Sequence, residues 1–454
     1  MPDLIKVAKF GGTSVADAAA MTRCAKIISN DPDKRIVVLS ATSGTTNLLV
    51  ALSSIHGRSD REDILKTIEE KHLKIVEELE SSEETTRRIR EILEELREVA
   101  DDENRSELKI KDRLLSFGEQ LSTTIFTDLL QRSGVEAELL DSRDVIRTDS
   151  TFGNAEPLLD EIRKEAAKRI APNLRKKRMV TQGFIGSDRN GTTTTLGRGG
   201  SDFTAALLAE ALDADVLEIW TDVDAIYSTD PRIVPEARPI TELTFDEAAE
   251  LSTFGAKVLH PATLKPAIRK NIRVYVGSSI HPEKPGTWIV KRSENLPVTR
   301  AISLRMDQTL LTVHSLDMLH RHGFLARLFQ ILADHKISVD LVTTSEVSVS
   351  LTIDTNHEGL RQRLSSGLMK DLEAIADVQV ETGLVLIAVV GNHLDRTAGV
   401  SGELFQLLDE INIRLVCHGA SSHNLCFLVE EQRAKEVVQR LHDHFITKKG
   451  EVLA

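Results

Sequence analysis

Short apolar runs alternate with amphipathic segments along the chain up to about residue 280. The apolar runs predict buried strands at 5–9, 36–40, 137–140, 179–185, 216–221 and 272–276. The segments between them have helical spacing, as at 16–29 and 203–211. This alternation predicts an α/β fold in which helices cover both faces of a mainly parallel sheet.

Residues 58–111 differ from this pattern, because they are rich in Glu, Lys, Arg and Leu and contain no proline. Helical spacing is followed by Ile89, Ile92, Leu93, Leu96 and Val99. The segment is interpreted as a helical hairpin with one buried face and solvated charges. The helix that resumes at 111 contains Gly118 beside Glu119 among apolar residues. A solvated Glu119 is the default there, and an inward-facing one is the alternative.

The chain after Pro285 contains an internal repeat at an offset of 76 residues. Residues 309–314 align with 385–390, Gly323 aligns with Gly399, and 328–330 align with 404–406. Each copy predicts a strand, a loop, a helix and two further strands. One apolar stripe on the first helix is interpreted as core; it consists of Phe324, Leu325, Leu328, Ile331 and Leu332.

Composition limits the class of protein. A chain of 454 residues, 41% hydrophobic and 28% charged, is long enough for more than one core. A net charge of -13 and a pI near 5.6 argue against nucleic-acid binding. The three cysteines are far apart and lack CxxC spacing, so neither a zinc site nor a disulfide framework is indicated. Without an apolar run of membrane length or an export signal, we expect a cytoplasmic protein that binds no membrane.

Candidate chemistry is concentrated in residues 192–202, TTTTLGRGGSD, a polar glycine-rich loop predicted between the strand at 179–185 and the helix at 203–211. Backbone N–H groups in such a loop and at a helix N-terminus bind anions. Arg198 suits a carboxylate or phosphate, and Asp202 suits an ammonium group or a hydrated metal. An ordinary surface loop with a helix cap is the alternative. The spacing matches neither the dinucleotide fingerprint nor the P-loop.

Two more loops of this kind follow the first two predicted strands. Lys9 precedes Gly11, Gly12, Thr13 and Ser14, and the hydroxyls of Thr13 and Ser14 could cap a helix or bind a ligand. A common turn is the alternative. The second loop is 41–47, ATSGTTN. In α/β sheets ligands bind outside the carboxyl ends of the strands, where these loops are expected.

Two later segments provide further candidate binding residues. Residues 220–232 contain a turn, an aromatic ring and an arginine, which could hold an adenine and its phosphates. Residues 254–261 supply Lys257, and His260 before a proline is interpreted as structural.

Four of these segments together resemble the aspartate kinases of the amino acid kinase family, of the monofunctional lysine-sensitive type. They are KFGGTS at 9–14, TTTTLGRGGSD at 192–202, TDVDAIYSTDPR at 221–232 and FGAKVLHP at 254–261. The resemblance covers essentially the whole chain. It implies a three-layer αβα sandwich, the amino acid kinase fold, at 1–295, with the helical insertion at about 58–111. Two α+β ferredoxin-like ACT modules would follow at 305–380 and 381–454.

The resemblance further implies ATP-dependent phosphorylation of the L-aspartate β-carboxylate to 4-phospho-L-aspartate, the first step of lysine, threonine and methionine biosynthesis. The implied catalytic residues are Lys9, Lys257 and Asp202. The implied aspartate-binding residues are Thr45, Glu119, Arg198, Gly199, Ser201 and Asp202. The implied ATP-binding residues are Lys9, Gly11, Gly12, Thr13, Ser14, Thr221, Asp222, Tyr227, Asp230, Arg232 and Lys257. Mg²⁺ is expected to arrive with ATP, and no protein-held metal is expected.

Feedback inhibition by L-lysine is implied as well, at the first ACT module. A lysine site needs carboxylates for two ammonium groups, donors for the carboxylate and an apolar channel. Asp340 and Glu346 provide carboxylates, where the second copy has Val416 and Ser422. The remaining predicted effector residues are Met318, Phe324, Leu325, Ser338, Val339 and Ser345. Arg321 stands where a small polar residue is expected and could weaken or redirect lysine binding. A homodimer or a dimer of dimers through the ACT modules is expected.

Two other functions stay open at this point. A catalytically inactive ACT-type sensor would not need Lys9, Arg198, Asp202 and Lys257, which are all present. A kinase for carbamate, acetylglutamate or a nucleotide would lack the ACT modules, and Glu119 would have no ammonium to bind on an acetylated substrate.

Overall fold

The computed structural model of the protein describes residues 4–55, 57–255, 261–319, 322–354 and 364–448. The described residues form two compact units. The first unit comprises 4–226, 239–245 and 261–293, and the second comprises 227–238, 246–255 and 294–448.

The first unit contains an eight-stranded sheet with the order β3-β4-β2-β1-β7-β9-β10-β8. Its strands, with the two strands of a separate ribbon, are β1 (Lys6–Phe10), β2 (Lys34–Leu39), β3 (Ala137–Leu140), β4 (Arg178–Gln182), β5 (Ile185–Ser187), β6 (Thr193–Thr195), β7 (Val216–Thr221), β8 (Glu242–Thr244), β9 (Arg273–Ser278) and β10 (Thr287–Val290). All neighbours in the sheet are parallel except β9 and β10, and β5 pairs with β6 in the antiparallel ribbon. The predicted mainly parallel sheet is confirmed.

Helices cover this sheet and connect its strands. They are α1 (Ala18–Ser29), α2 (Thr45–Ser54), α3 (Arg58–Glu78), α4 (Glu83–Ala100), α5 (Leu108–Arg132), α6 (Leu159–Arg169), α7 (Gly200–Ala211) and α9 (Pro261–Lys270). Helix α8 (Phe245–Thr253) belongs to the second unit except for its first residue. Buried side chains of α1 to α5 form one core with β1 and β2, which includes Phe10, Phe117 and Phe126. Helix α7 packs with α6 and with α9, and it packs on β1 and β7. This arrangement is the three-layer αβα sandwich, and α3 and α4 are the predicted hairpin.

Three local predictions were wrong. The predicted strand 179–185 is split into β4 and β5, because Phe184 has a left-handed φ of 69°. The threonine run before Leu196 is strand β6 rather than loop, since β-branched residues pack well in a ribbon. Helix α7 begins at Gly200, so Ser201 and Asp202 lie in its first turn.

The second unit contains a six-stranded sheet with the order β12-β13-β11-β14-β16-β15. Its strands are β11 (Thr299–His314), β12 (Val342–Thr344), β13 (Ser348–Asp354), β14 (Asp377–Gly391), β15 (Leu415–His418) and β16 (Asn424–Glu430). Its helices are α10 (Phe324–Asp334), α11 (Ser366–Glu373), α12 (Val400–Leu407), α13 (Ala434–His442) and the π-helical turn Asp443–Lys448.

The internal repeat is confirmed in this sheet. Gly323 and Gly399 both precede a helix with positive φ, 86° and 91°, a conformation that glycine adopts without strain. Each copy has its own core, one around α10 and α11 and the other around α12 and α13. Strands β11 and β14 run through both halves, and residues 299–305 pair with 386–391 of the second copy. The segment before the first copy therefore completes the second, so the first copy is inserted into the second along the chain.

Candidate active site

The loops that follow β1, β2 and β7 meet at one edge of the sheet of the first unit. Ser40 N–H donates to the Phe10 carbonyl at 3.1 Å, and Gly11 N–H donates to the Trp220 carbonyl at 3.2 Å. A Cβ on Gly12 would lie 2.9 Å from the Ala41 carbonyl oxygen, so the first two loops touch backbone to backbone. Only glycine permits this approach, which places the predicted anion loop directly against the loop after β2.

An ion pair joins the β1 loop to the start of α7. Lys9 Nζ lies 2.5 Å from Asp202 Oδ1, and both side chains are largely buried. Asp202 is the third residue of α7, whose N-cap is Gly199 with φ 72°. The free N–H groups and the dipole of a helix N-terminus favour an anion, as does the ammonium of Lys9. This corner therefore suits a phosphoryl group, with Asp202 balancing the lysine charge.

Glu119 provides a buried carboxylate beside the β2 loop. Helix α5 passes this loop closely, because a Cβ on Gly118 would lie 2.7 Å from Ala41 Cβ. Ala41 N–H donates to Glu119 Oε1 at 3.0 Å, whereas the buried Oε2 has no hydrogen-bond partner. The inward-facing alternative is confirmed, since Glu119 is 3% exposed. Burial raises the pKa of Glu119 to about 8, although the Ala41 N–H partly opposes this.

We expect aspartate binding to release a proton from Glu119. With a pKa of about 8, the carboxyl is mostly protonated at pH 7 in the free protein, and an ammonium group beside it would favour the ionised form. Titration calorimetry in buffers of different ionisation enthalpy should give close to one proton released per aspartate bound at pH 7. The release should fade above about pH 8, and the KM for aspartate should decrease as the pH rises toward that value.

The matched variant is Glu119→Gln, which keeps the shape and removes the titrating group. It should bind aspartate more weakly and release no proton. An unchanged proton release in this variant would assign the proton to another group and contradict a role for Glu119 in ammonium binding.

The remaining predicted site residues of the first unit differ in their environments. Thr45 is fully buried at the start of α2, and Ser201 packs so closely on Gly183 that a Cβ there would lie 2.5 Å from Ser201 Cβ. Arg198 is exposed in the loop before α7. The caps predicted from Thr13 and Ser14 were wrong. These residues form a 3-10 turn, and α1 is capped by Asp17, whose side chain accepts the Ala20 N–H.

The predicted nucleotide residues are divided between the two units. Thr221 and Asp222 follow β7 in the first unit, where Thr221 Oγ1 donates to Asp222 Oδ1 at 3.1 Å. Tyr227, Asp230 and Arg232 belong to the second unit. Asp230 and Arg232 form an ion pair at 2.6 Å, in which Arg232 is largely exposed. Lys257 and His260 lie outside the described residues.

Comparisons with known proteins identify the family of this chain. The model of the amino acid kinase family matches residues 5–278, and an ACT domain model matches 311–359 and 387–445. Lysine-sensitive aspartokinase 3 of Escherichia coli strain K12 is 50% identical over 97% of this chain and 99% of its own length. The chain belongs to the aspartokinases of the amino acid kinase family.

Two crystal structures of aspartokinase III from E. coli, both at 50% identity, cover 97% of this chain and 99% of theirs. The complex with aspartate and ADP (R-state) gives a TM-score of 0.88, and the complex with lysine and aspartate (T-state) gives 0.84.

Three polar residues near Glu119 were not predicted from the sequence. Thr42 is buried in the β2 loop, and Lys71 and His72 reach that loop from α3. The sequence contained one signal that could have identified His72: its spacing places it in the buried stripe of α3, between Ile68 and Ile75. The prediction that the charges of this segment are solvated was wrong for Arg105, which is buried, whereas Lys71 is half-buried and its ammonium donates to the Ser43 carbonyl.

The predicted lysine-site residues of this chain lie in its first ACT copy. Met318, Phe324 and Val339 pack against its core, whereas Leu325 is 41% exposed at the start of α10. Ser345 and Glu346 lie in the exposed turn between β12 and β13, and Ser338 and Asp340 are exposed before β12. Asp340 forms an ion pair with Arg305 at 3.2 Å. Arg321 lies outside the described residues.

Neither a metal cluster nor a membrane-spanning helix was found in the part of the chain that the structure describes. No group of three or more His, Cys, Asp or Glu side chains in these residues could hold a metal ion. No described helix is long and apolar enough to cross a membrane. Cys24, Cys417 and Cys426 are all free, which agrees with the prediction that there is no disulfide framework.

Proposed function

We propose that this chain is an aspartate kinase that transfers the γ-phosphoryl group of ATP to the β-carboxylate of L-aspartate. A β-carboxylate oxygen attacks the γ-phosphorus, the bond from that phosphorus to the β–γ bridging oxygen breaks, and ADP leaves as 4-phospho-L-aspartate forms. No enzyme nucleophile is needed, so the protein must position two anions and stabilise the charge that develops. The observation that carries the proposal is the Lys9–Asp202 pair at the start of α7, within the same loop cluster as buried Glu119.

The phosphoryl side of the site is assigned to Lys9, the backbone N–H groups of Gly11 and Gly12, and Lys257. Phosphate oxygens bind well to ammonium groups and to backbone N–H groups. Magnesium enters with the substrate MgATP in this proposal, and its positive charge would offset the negative charge of the nucleotide phosphates. The other residues assigned to ATP are Thr13, Ser14, Thr221, Asp222, Tyr227, Asp230 and Arg232.

The aspartate side is assigned by charge. Arg198 matches the α-carboxylate through its planar fork of donors, and Glu119 and Asp202 match the α-ammonium. The free Oε2 of Glu119 supports this assignment, because the ionised carboxylate needs a donor at this buried oxygen and an ammonium group supplies one. Thr45, Gly199 and Ser201 complete the proposed contacts.

A coupled assay for ADP release tests the activity. We expect ADP release with MgATP and L-aspartate, and no comparable release with N-acetylglutamate, carbamate or a nucleoside monophosphate as the acceptor. A preference for one of those acceptors would overturn the proposed substrate, and no acceptor-dependent release would favour an inactive sensor.

We further propose that free lysine inhibits the enzyme by binding at the first ACT copy. Glu346 is the sharpest test, because its carboxylate has no ion-pair partner among the described residues, whereas Asp340 already contacts Arg305. Wild type should be inhibited by lysine and not by threonine or methionine. Glu346→Ala should raise the inhibitory lysine concentration about tenfold or more, the usual effect of losing a charged hydrogen bond.

The matched control is Ser422→Ala, at the equivalent position of the second copy. This variant should keep the lysine sensitivity of wild type. If wild type were insensitive to lysine, or if both variants behaved alike, the effector site would have to be assigned elsewhere.

A homodimer or dimer of dimers through the ACT modules is also part of the proposal. The first copy exposes several large apolar side chains, which favour burial against another subunit. They are Leu316, Leu319, Leu325, Phe329 and Val342. The prediction of a cytoplasmic enzyme is retained, supported by three cysteines that are all free.

A further inference from the structure

A buried histidine connects the helical insertion to the loop after β2. His72 lies on α3, and its side chain is fully buried. Its Nε2 lies 3.2 Å from Thr42 Oγ1, and Thr42 Oγ1 lies 2.6 Å from Thr45 Oγ1. Three buried side chains thus form a continuous hydrogen-bonded row that ends at a residue assigned to the aspartate side.

The position of each hydrogen in this row follows from the first contact. His72 Nδ1 lies 2.7 Å from the Ile68 carbonyl oxygen. A carbonyl oxygen can only accept, so Nδ1 carries a hydrogen and donates it. Burial lowers the pKa of His72 to about 4, so the ring is neutral near pH 7 and Nε2 has a lone pair.

A neutral Nε2 requires a donor, and among the described residues the hydroxyl of Thr42 is the group that contacts it. Once Thr42 donates to His72, the 2.6 Å contact with Thr45 can be made only if Thr45 donates to Thr42. The reverse direction would leave a buried ring nitrogen without a donor, which is unfavourable. The hydroxyl hydrogen of Thr45 is therefore used inside the protein, and Thr45 can offer only lone pairs to other groups.

Other contacts of the same loop favour donors in the same way. Lys71 Nζ donates to the Ser43 carbonyl and, at 3.5 Å, weakly to Thr45 Oγ1, so Thr45 already acts as an acceptor toward one side chain. Ala41 N–H holds one oxygen of Glu119, and the other oxygen has no donor. Two side-chain oxygens assigned to the substrate therefore require a hydrogen from their partner: that of Thr45, and Oε2 of Glu119 once this carboxyl is ionised.

We propose that His72 is a positioning residue for the amino-acid substrate: it holds the loop 41–45 with Thr45 as an acceptor, so that this side of the site takes an α-ammonium group. The helical insertion then contributes to substrate selection, although none of its residues belongs to the predicted site. The inference rests on the proposed function, because it assumes that Thr45 and Glu119 face aspartate.

The test compares variants that break this row of hydrogen bonds with variants that preserve it. Thr42→Val and His72→Leu remove the donor and the acceptor, respectively, at similar size. Each should raise the KM for aspartate about tenfold and leave the KM for ATP unchanged. Selectivity against succinate, which lacks the ammonium group, should fall by a similar factor when succinate is measured as a competitive inhibitor. Thr42→Ser and His72→Gln should restore both values, because a glutamine amide can accept from Thr42 and donate to Ile68.

Ile75→Ala, one turn further along the same buried stripe, is the control for loss of packing. It should lower the melting temperature without changing either KM. An unchanged aspartate KM in folded Thr42→Val would overturn the inference, as would an equal rise of both KM values. Glu119→Gln distinguishes failure of this inference from failure of the proposed function. If this variant also left the aspartate KM unchanged, the proposed aspartate site itself would be wrong.

Discussion

Lys9→Ala should lower kcat by about two to three orders of magnitude, the typical loss when one fixed donor to a developing charge is removed. The ammonium of Lys9 is largely buried at the end of β1, and water cannot replace a fixed positive charge at that position. Aspartate and ATP should still bind, because each keeps other proposed contacts. Steady-state kinetics with MgATP and aspartate would therefore show the loss mainly in kcat.

Lys6→Ala is the matched control on the same strand. Lys6 pairs with Asp31 at 2.7 Å, at the other end of β1, and should contribute only to stability. The kcat of this variant should equal that of wild type. Near-wild-type turnover in folded Lys9→Ala would remove Lys9 from the mechanism.

Arg198→Ala should raise the KM for aspartate by roughly 10- to 150-fold, which corresponds to the 1.5–3 kcal/mol of a charged hydrogen bond. Arg198 lies in the loop before α7, and its guanidinium is proposed to bind the α-carboxylate. The KM for ATP should stay close to that of wild type, since the nucleotide is assigned to other residues.

Arg189→Ala provides the comparison, because Arg189 is another exposed arginine of the same region and pairs with Glu161 at 2.7 Å. It should leave both KM values unchanged. If Arg198→Ala weakened ATP and aspartate equally, the division of the site into two halves would be wrong.

The fold was largely predictable because its strands are apolar on both faces. In a parallel sheet covered by helices, strands such as β2 and β7 appear as nearly continuous apolar runs, and they are found where they were predicted. The ACT repeat was also visible, since Gly323 and Gly399 occupy equivalent helix starts. The threading of β11 through both copies was not predictable, because strand pairing between distant segments leaves no periodic signal in one sequence.

Only part of the candidate site could be predicted. Gly118 beside Glu119 indicated an unusual helix position, and the close approach of Ala41 provides the physical reason. His72 and Lys71 were missed, because a polar residue in a charged helix appears solvated until the packing of that helix is known. Their contacts with the β2 loop depend on how α3 lies against α2 and α4, which local sequence does not specify.

Trapping the product shows whether phosphate is transferred to the β-carboxylate of aspartate. An acyl phosphate reacts with hydroxylamine to give a hydroxamate, so the reaction with MgATP, L-aspartate and hydroxylamine should yield aspartate β-hydroxamate in the same amount as ADP. The yield should fall sharply in Lys9→Ala and persist in Lys6→Ala. ADP release without hydroxamate, or hydroxamate at the α-carboxylate, would rule out this reaction.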